Sequence, residues 1–72
     1  MDKVSQNRRV EEYMREHGSI TTYEAFTELR ITRLASRISD LRRSGVGIEG
    51  EMKYGEDSEG RLMKWKEYRL VV

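Results

Sequence analysis

The sequence predicts an α+β domain in which three helices precede a two-stranded β-hairpin, with a third, very short strand near Ser19-Thr21. Three observations carry this. Apolar residues recur at helical spacing as far as Gly45 and at alternate positions after it. Capping signals punctuate the helical part. A polar stretch, GEDSEG, separates the two alternating segments. At 72 residues the chain is expected to form one domain, residues 1–72, with a core so small that most apolar side chains have a packing role.

The first helix is KVSQNRRVEEYMREHG. Val10, Met14 and His17 fall at i, i+4 and i+7, with Tyr13 alongside, so they form one inward stripe. Gly18 follows the last periodic residue and suits a left-handed C-cap. His17, in the last turn, is expected to pack or cap. Next comes SITTYEAFTEL, where Thr21 and Glu24 have capping-box spacing and Ile20 and Ala25 occupy the staple positions around it. Ala25, Phe26 and Leu29 give this short second helix its buried side. A tight joint at Arg30-Ile31 leads to the third helix, ITRLASRISDLRRSG. Thr32 is its expected N-cap, Leu34, Ile38 and Leu41 its inward stripe with Ala35 alongside, and Gly45 its stop.

Beyond Gly45 the period becomes two. Val46, Ile48, Met52 and Tyr54 alternate with Gly47, Glu49, Glu51 and Lys53, as in a half-buried strand. RLMKWKEYRLVV is the returning strand, with Tyr68, Leu70 and Val72 on one face. Met63 and Trp65 have the opposite parity, so either a bulge near Lys66-Glu67 shifts the phase or Trp65 faces away from the helices. A lone hairpin is marginal in water, so this one is expected to pack on the helices.

Several function classes are excluded by composition. There is no cysteine, hence no disulfide framework or thiolate metal site, and the lone His17 cannot build a metal centre. No cofactor or small-molecule ligand is expected. There is no Ser-His-Asp set, no HExxH and no phosphate-cradling glycine loop. GVGIEGE lacks the helix-opening context of a dinucleotide fingerprint. Glu49 and Glu51 share a strand face without any sign of a cleft. No apolar run approaches the ~20 residues that span a bilayer, and the N-terminus lacks the apolar core of a signal peptide. A cytoplasmic protein that is not an enzyme is the expectation.

Charge is informative only through its distribution. The net charge is +1, but residues 30–43 hold five arginines against one carboxylate, Asp40, a local charge of +4 that leaves −3 for the remainder. On a wheel of about 100° per residue, Leu34, Ile38 and Leu41 cluster on one side. Thr32, Ser36, Ser39, Asp40 and Arg43 point the opposite way, flanked by Arg33 and Arg37 on one edge and Arg42 on the other. Small hydroxyl residues let a helix approach a groove, and arginine supplies bidentate donors to guanine or phosphate. Arg33 and Arg37 form a like-charge i, i+4 pair, which an isolated helix disfavours. The plainer reading also stands: Asp40 can pair with Arg37 or Arg43, and Arg42 and Arg43 suit the helix dipole.

The stretch from GSITTYEAFTELRITRLASRISDLRRSG to KWKEYRL resembles small winged helix-turn-helix proteins of bacteria and their phages. The likeness spans roughly residues 8–71. It implies double-stranded DNA as partner, a role as a small transcriptional regulator or phage-type DNA-binding factor, and residence at the nucleoid. By the same resemblance the third helix enters the major groove, with Thr32, Arg33, Ser36, Arg37 and Asp40 as base readers. Thr22, Tyr23, Arg43, Arg61, Lys64 and Lys66 are then the candidate phosphate contacts. The chain departs from the pattern twice. Arg30 stands in the turn where glycine is common, so a turn built without positive φ is expected, because left-handed backbone costs a non-glycine residue about 1 kcal/mol. The wing tip, EDSE, is acidic. A homodimer on paired half-sites is the corollary of DNA binding, through the first helix or the C-terminal RLVV. The competing reading is a winged-helix adaptor that binds protein and no DNA, which the acidic tip favours.

Overall fold

The computed structural model describes residues 3–71. The element order is α1 (Lys3–His17), β1 (Ile20–Thr21), α2 (Thr22–Leu29), α3 (Leu34–Arg43), β2 (Ile48–Glu56) and β3 (Leu62–Leu70). The three strands form an antiparallel sheet of order β1-β3-β2. The α+β class and the three helices followed by a hairpin are as the sequence predicts, and Ile20–Thr21 is the short third strand.

The core joins every element. Val10 and Met14 of α1, Ile20 of β1, Ala25 of α2, Leu34, Ile38 and Leu41 of α3, and Ile48 and Tyr68 from the base of the hairpin are all buried. Ile31, in the joint between α2 and α3, completes it at 2% exposure. Each fully buried Ile or Leu contributes about 1.5–3 kcal/mol, so truncating any of them in so small a core is expected to be severe.

Helix ends follow local chemistry. The Gly18 N–H donates to the Met14 carbonyl at 2.8 Å, and Gly18 has φ +90°. At α2 the Glu24 N–H donates to the Thr21 hydroxyl at 3.1 Å, and the Thr21 N–H donates to Glu24 Oε1 at 3.0 Å. This reciprocal pair is the capping box that the spacing predicts. The C-terminus of α2 departs from expectation. Arg30 itself adopts the left-handed conformation, φ 59° and ψ 33°. Its N–H donates to the Phe26 carbonyl and that of Ile31 to the Ala25 carbonyl, at 3.1 and 2.9 Å. Those bonds, and the burial of Ile31 that the reversal permits, outweigh the steric penalty on Arg30.

Other positions also differ from the sequence-level expectation. His17 is exposed, with its ring 4.3 Å from that of Tyr13, because α1 extends past the core at that end. Phe26 is 54% exposed. It lies 100° around α2 from Ala25, and the α2 face that meets the core is only wide enough for Ala25 and Leu29. Ala35 is exposed too. The N-cap of α3 is Arg33, without a side-chain hydrogen bond, and Thr32 lies before it. In β2 only Ile48 is buried, while Met52 and Tyr54 are exposed, because the hairpin runs beyond the helices that would cover it. Its register is continuous from Ile48↔Leu70 to Glu56↔Leu62, without a bulge. Trp65 therefore lies on the sheet face opposite Tyr68. Val72, expected on the face of Tyr68 and Leu70, lies outside the described residues.

Candidate nucleic-acid interface

The basic residues around α3 have three different environments. Arg30 and Arg33 bracket the joint leading into α3, and both are exposed. Neither guanidinium has an ion-pair or hydrogen-bond partner among the described residues. Arg33 is the N-cap residue of α3, and it makes no side-chain bond to the first N–H groups of the helix. Thr32 between them is exposed, Ser36 half-buried and Ser39 exposed. Arg43 keeps its guanidinium 77% exposed while one nitrogen donates to Asp40 Oδ1 at 3.0 Å.

Arg37 is turned inward. It is 8% exposed, and its guanidinium meets Gln6 Oε1 on α1 at 3.4 Å and Asp40 Oδ2 at 3.3 Å. The wheel places it at the edge of the outward strip, yet that same position is only about 40–60° from Leu41 and Leu34. Packing of α1 along α3 closes over that edge. Arg37 therefore anchors two helices instead of lining the outward face. Asp40 lies between Arg37 and Arg43, hydrogen-bonded to Arg43 and ion-paired with Arg37 while its Oδ2 accepts no hydrogen bond, and the plainer reading of the sequence applies to it. Arg42 donates through Nε and Nη2 to the Ile48 carbonyl at 3.3 and 3.1 Å, tying α3 to the first residue of the hairpin.

Strand alternation sorts the hairpin into two unlike faces. One carries Met52, Tyr54, Leu62, Lys64 and Lys66, continuing the face that is buried at Ile48 and Tyr68. Lys64 has no partner among the described residues, and Lys66 lies over the Tyr68 ring at 5.5 Å. The other face carries Glu49, Glu51, Lys53, Met63, Trp65, Glu67 and Arg69. Its charges are largely self-paired, with Lys53 2.8 Å from Glu51 and Arg69 3.4 Å from Glu49. The Lys53 ammonium holds the Glu51 carboxyl below the usual carboxylate range.

At the tip, Asp57 Oδ1 accepts the N–H groups of Glu59 and Arg61, both at 2.9 Å. Those donors hold the Asp57 carboxyl below its ordinary value. Arg61 is engaged by Asp57 at 3.2 Å and Glu59 at 3.0 Å. Its charge is thus compensated within the tip, in contrast to the free phosphate ligand expected there. Thr22 and Tyr23 are exposed at the start of α2, but the capping box already takes the N–H donors of Thr21 and Glu24 and sets a carboxylate beside them. Tyr23 lines a cleft with Glu24 and Glu67, not a basic patch.

The structure thus leaves Thr32, Arg33 and Arg43 exposed and Ser36 half-buried, sets Lys64 and Lys66 together on one hairpin face, and pairs Arg37, Asp40 and Arg61 within the chain. Sequence reasoning left Arg30 out of the site, although it stands in the same basic run without a carboxylate within helical reach. Among the described residues no acidic or histidine cluster is arranged to hold a metal, and no helix is long and apolar enough to cross a membrane. A family profile described as a winged helix-turn-helix domain matches residues 5–72. No curated protein and no solved structure matches the chain.

Proposed function

Because the chain belongs to the winged helix-turn-helix family, whose members are DNA-binding modules as a class, we propose that it binds double-stranded DNA sequence-specifically. It would act as a small transcriptional regulator or phage-type DNA-binding factor in the cytoplasm, at the nucleoid. The outward surface of α3 enters the major groove, with Thr32, Arg33 and Ser36 nearest the base edges. Arg30, Arg43, Lys64 and Lys66 neutralise phosphates on either side. The observation that carries this reading is that, among the described residues, Arg30, Arg33, Lys64 and Lys66 have no carboxylate partner, as Arg8 and Arg42 also have none, whereas Arg15, Arg37, Arg43, Lys53, Arg61 and Arg69 are ion-paired. Arg30 and Arg33, beside the N-terminal end of α3 and without partners among the described residues, suit a polyanion, because contact releases counterions without breaking internal bonds.

Fluorescence anisotropy on a labelled duplex, at several salt concentrations, tests it. Four phosphate contacts give a log–log slope of about −3.6. A selected duplex should outcompete a random one. Absence of duplex binding at low salt would replace this reading by the protein-binding adaptor. Dimerisation on paired half-sites is part of the same proposal, and sedimentation of the free and duplex-bound protein measures it.

A further inference from the structure

β3 is longer than the strand beside it. β1 pairs with β3 only at Tyr68 and Glu67, and the chain leaves the sheet at Thr22 to begin α2. From Leu62 to Lys66 the edge of β3 opposite β2 has no neighbouring strand among the described residues. Such an edge offers alternate N–H and C=O groups to any extended segment that reaches it. Beside it, where α2 turns off the sheet, lies a cleft of about 540 Å³ walled by Tyr23, Met63 and Trp65 and bordered by Glu24 and Glu67. Tyr23 is 76% exposed, Met63 48% and Trp65 39%, so aromatic and apolar surface is left in water beside the open edge, as at many interaction sites.

The charge around the cleft decides its occupant. No cation lines it. The nearest ammonium to Glu67, that of Lys53, is 3.9 Å away and already bonded to Glu51. Glu24 is more fully engaged, by the capping box and by the Tyr13 hydroxyl. A phosphate backbone would be repelled here. A basic side chain would find a carboxylate at Glu67, the further negative charge of Glu24 and an indole face at Trp65, all of which attract cations. We propose that this cleft docks an extended, basic segment of a protein partner, which adds a strand to β3 in line with β1. Main-chain bonds to Leu62–Lys66 supply affinity. Side chains at alternate positions, one apolar against Met63 and one basic beside Trp65 and Glu67, supply selectivity. Met63, Trp65 and Glu67 lie on the sheet face opposite Lys64 and Lys66, so the domain would hold a duplex and a protein segment together. The inference stands whether or not duplex binding is found.

The test uses three blocked hexapeptides, TRTLTR, TQTLTQ and TETLTE, titrated into ¹⁵N-labelled protein with and without duplex. TRTLTR is expected to shift the Trp65 indole N–H and the amides of Leu62–Lys66 and Thr21–Glu24, with TQTLTQ at least fivefold weaker and TETLTE inactive. Glu67→Lys should weaken TRTLTR at least tenfold while leaving the spectrum elsewhere intact. Glu67→Gln, a milder change, should weaken it less. Trp65→Ala should abolish the shifts at Leu62–Lys66. Equal binding of TRTLTR and TQTLTQ would overturn the proposal. So would shifts spread equally over the acidic wing tip, no binding at all, or concentration-dependent shifts of the same amides without peptide, which would assign the edge to a second copy of the chain.

Discussion

The buried pair Arg37–Asp40 makes an asymmetric prediction. Its side chains are 10% and 22% exposed, so the two charges are held mostly out of water. Removing one partner of a buried pair leaves the other charge desolvated and costs about 3–5 kcal/mol. Here Asp40 is partly solvated and Arg37 keeps a long contact to Gln6, so about 2 kcal/mol is expected for Asp40→Asn. For a domain of this size that lowers Tm by about 8–16 °C. Arg37→Met removes the charge that needs the carboxylate and fills similar volume. Asp40 retains the exposed Arg43, so the change should stay within about 1 kcal/mol of the parent. The double variant should recover much of the stability lost in Asp40→Asn alone. Duplex affinity separates this role from a DNA-contacting one. Arg37→Met should leave it within about twofold, whereas Arg33→Ala, removing an unpaired exposed guanidinium, should weaken it by about 1–3 kcal/mol. Thermal melts and anisotropy titrations on the parent and the four variants suffice. If Arg37→Met lost duplex affinity as Arg33→Ala does, at unchanged Tm, the inward placement of Arg37 would be wrong.

Further outcomes follow from the same geometry. Lys64→Ala and Lys66→Ala should each reduce the salt slope of duplex binding by about one, while Arg61→Ala, whose charge is compensated by Asp57 and Glu59, should leave the slope unchanged. Thr21→Ala removes a reciprocal cap and should cost about 1 kcal/mol in urea unfolding. The Asp57 carboxyl is held low by the Arg61 and Glu59 N–H groups. Its contribution is therefore present above the unfolded carboxyl value, about 3.9, and disappears as pH falls through the lower folded value. Protection of the Glu59 and Arg61 amides, measured against the exchange rate of an unstructured chain at each pH, should fall in that acid range, and Asp57→Asn should remove that fall. Gly55→Val should disturb the wing, since a side chain there meets the Trp65 ring at 3.2 Å. A raised near-ultraviolet signal change at the tryptophan, without loss of helix content, would show it.

Much of the fold was legible in local signals. The Thr21–Glu24 spacing, Gly18 and Gly45 each carry their information within one turn of chain, and the change of period after Gly45 marks the hairpin. Parity alone left two arrangements for Trp65, and the pairing register of β2 with β3 chose between them. Ile31 was read only as part of a joint, because a single apolar residue in a turn has no periodicity to announce that it is core.

The candidate site was less legible, for a reason that Arg37 makes plain. A wheel gives angles within one helix but not how wide a strip the neighbouring helix covers. The amino-acid sequence by itself determined the order of elements, the inward stripe Leu34-Ile38-Leu41 and the concentration of arginine around α3. Only the tertiary structure decided which of those arginines are available. α1 covers Arg37, Asp40 engages Arg43 and Arg37 together, Arg42 bonds the Ile48 carbonyl, and Arg30 and Arg33 have no partner among the described residues. Charge is a property of composition, but availability of charge depends on which partners folding brings within about 4 Å.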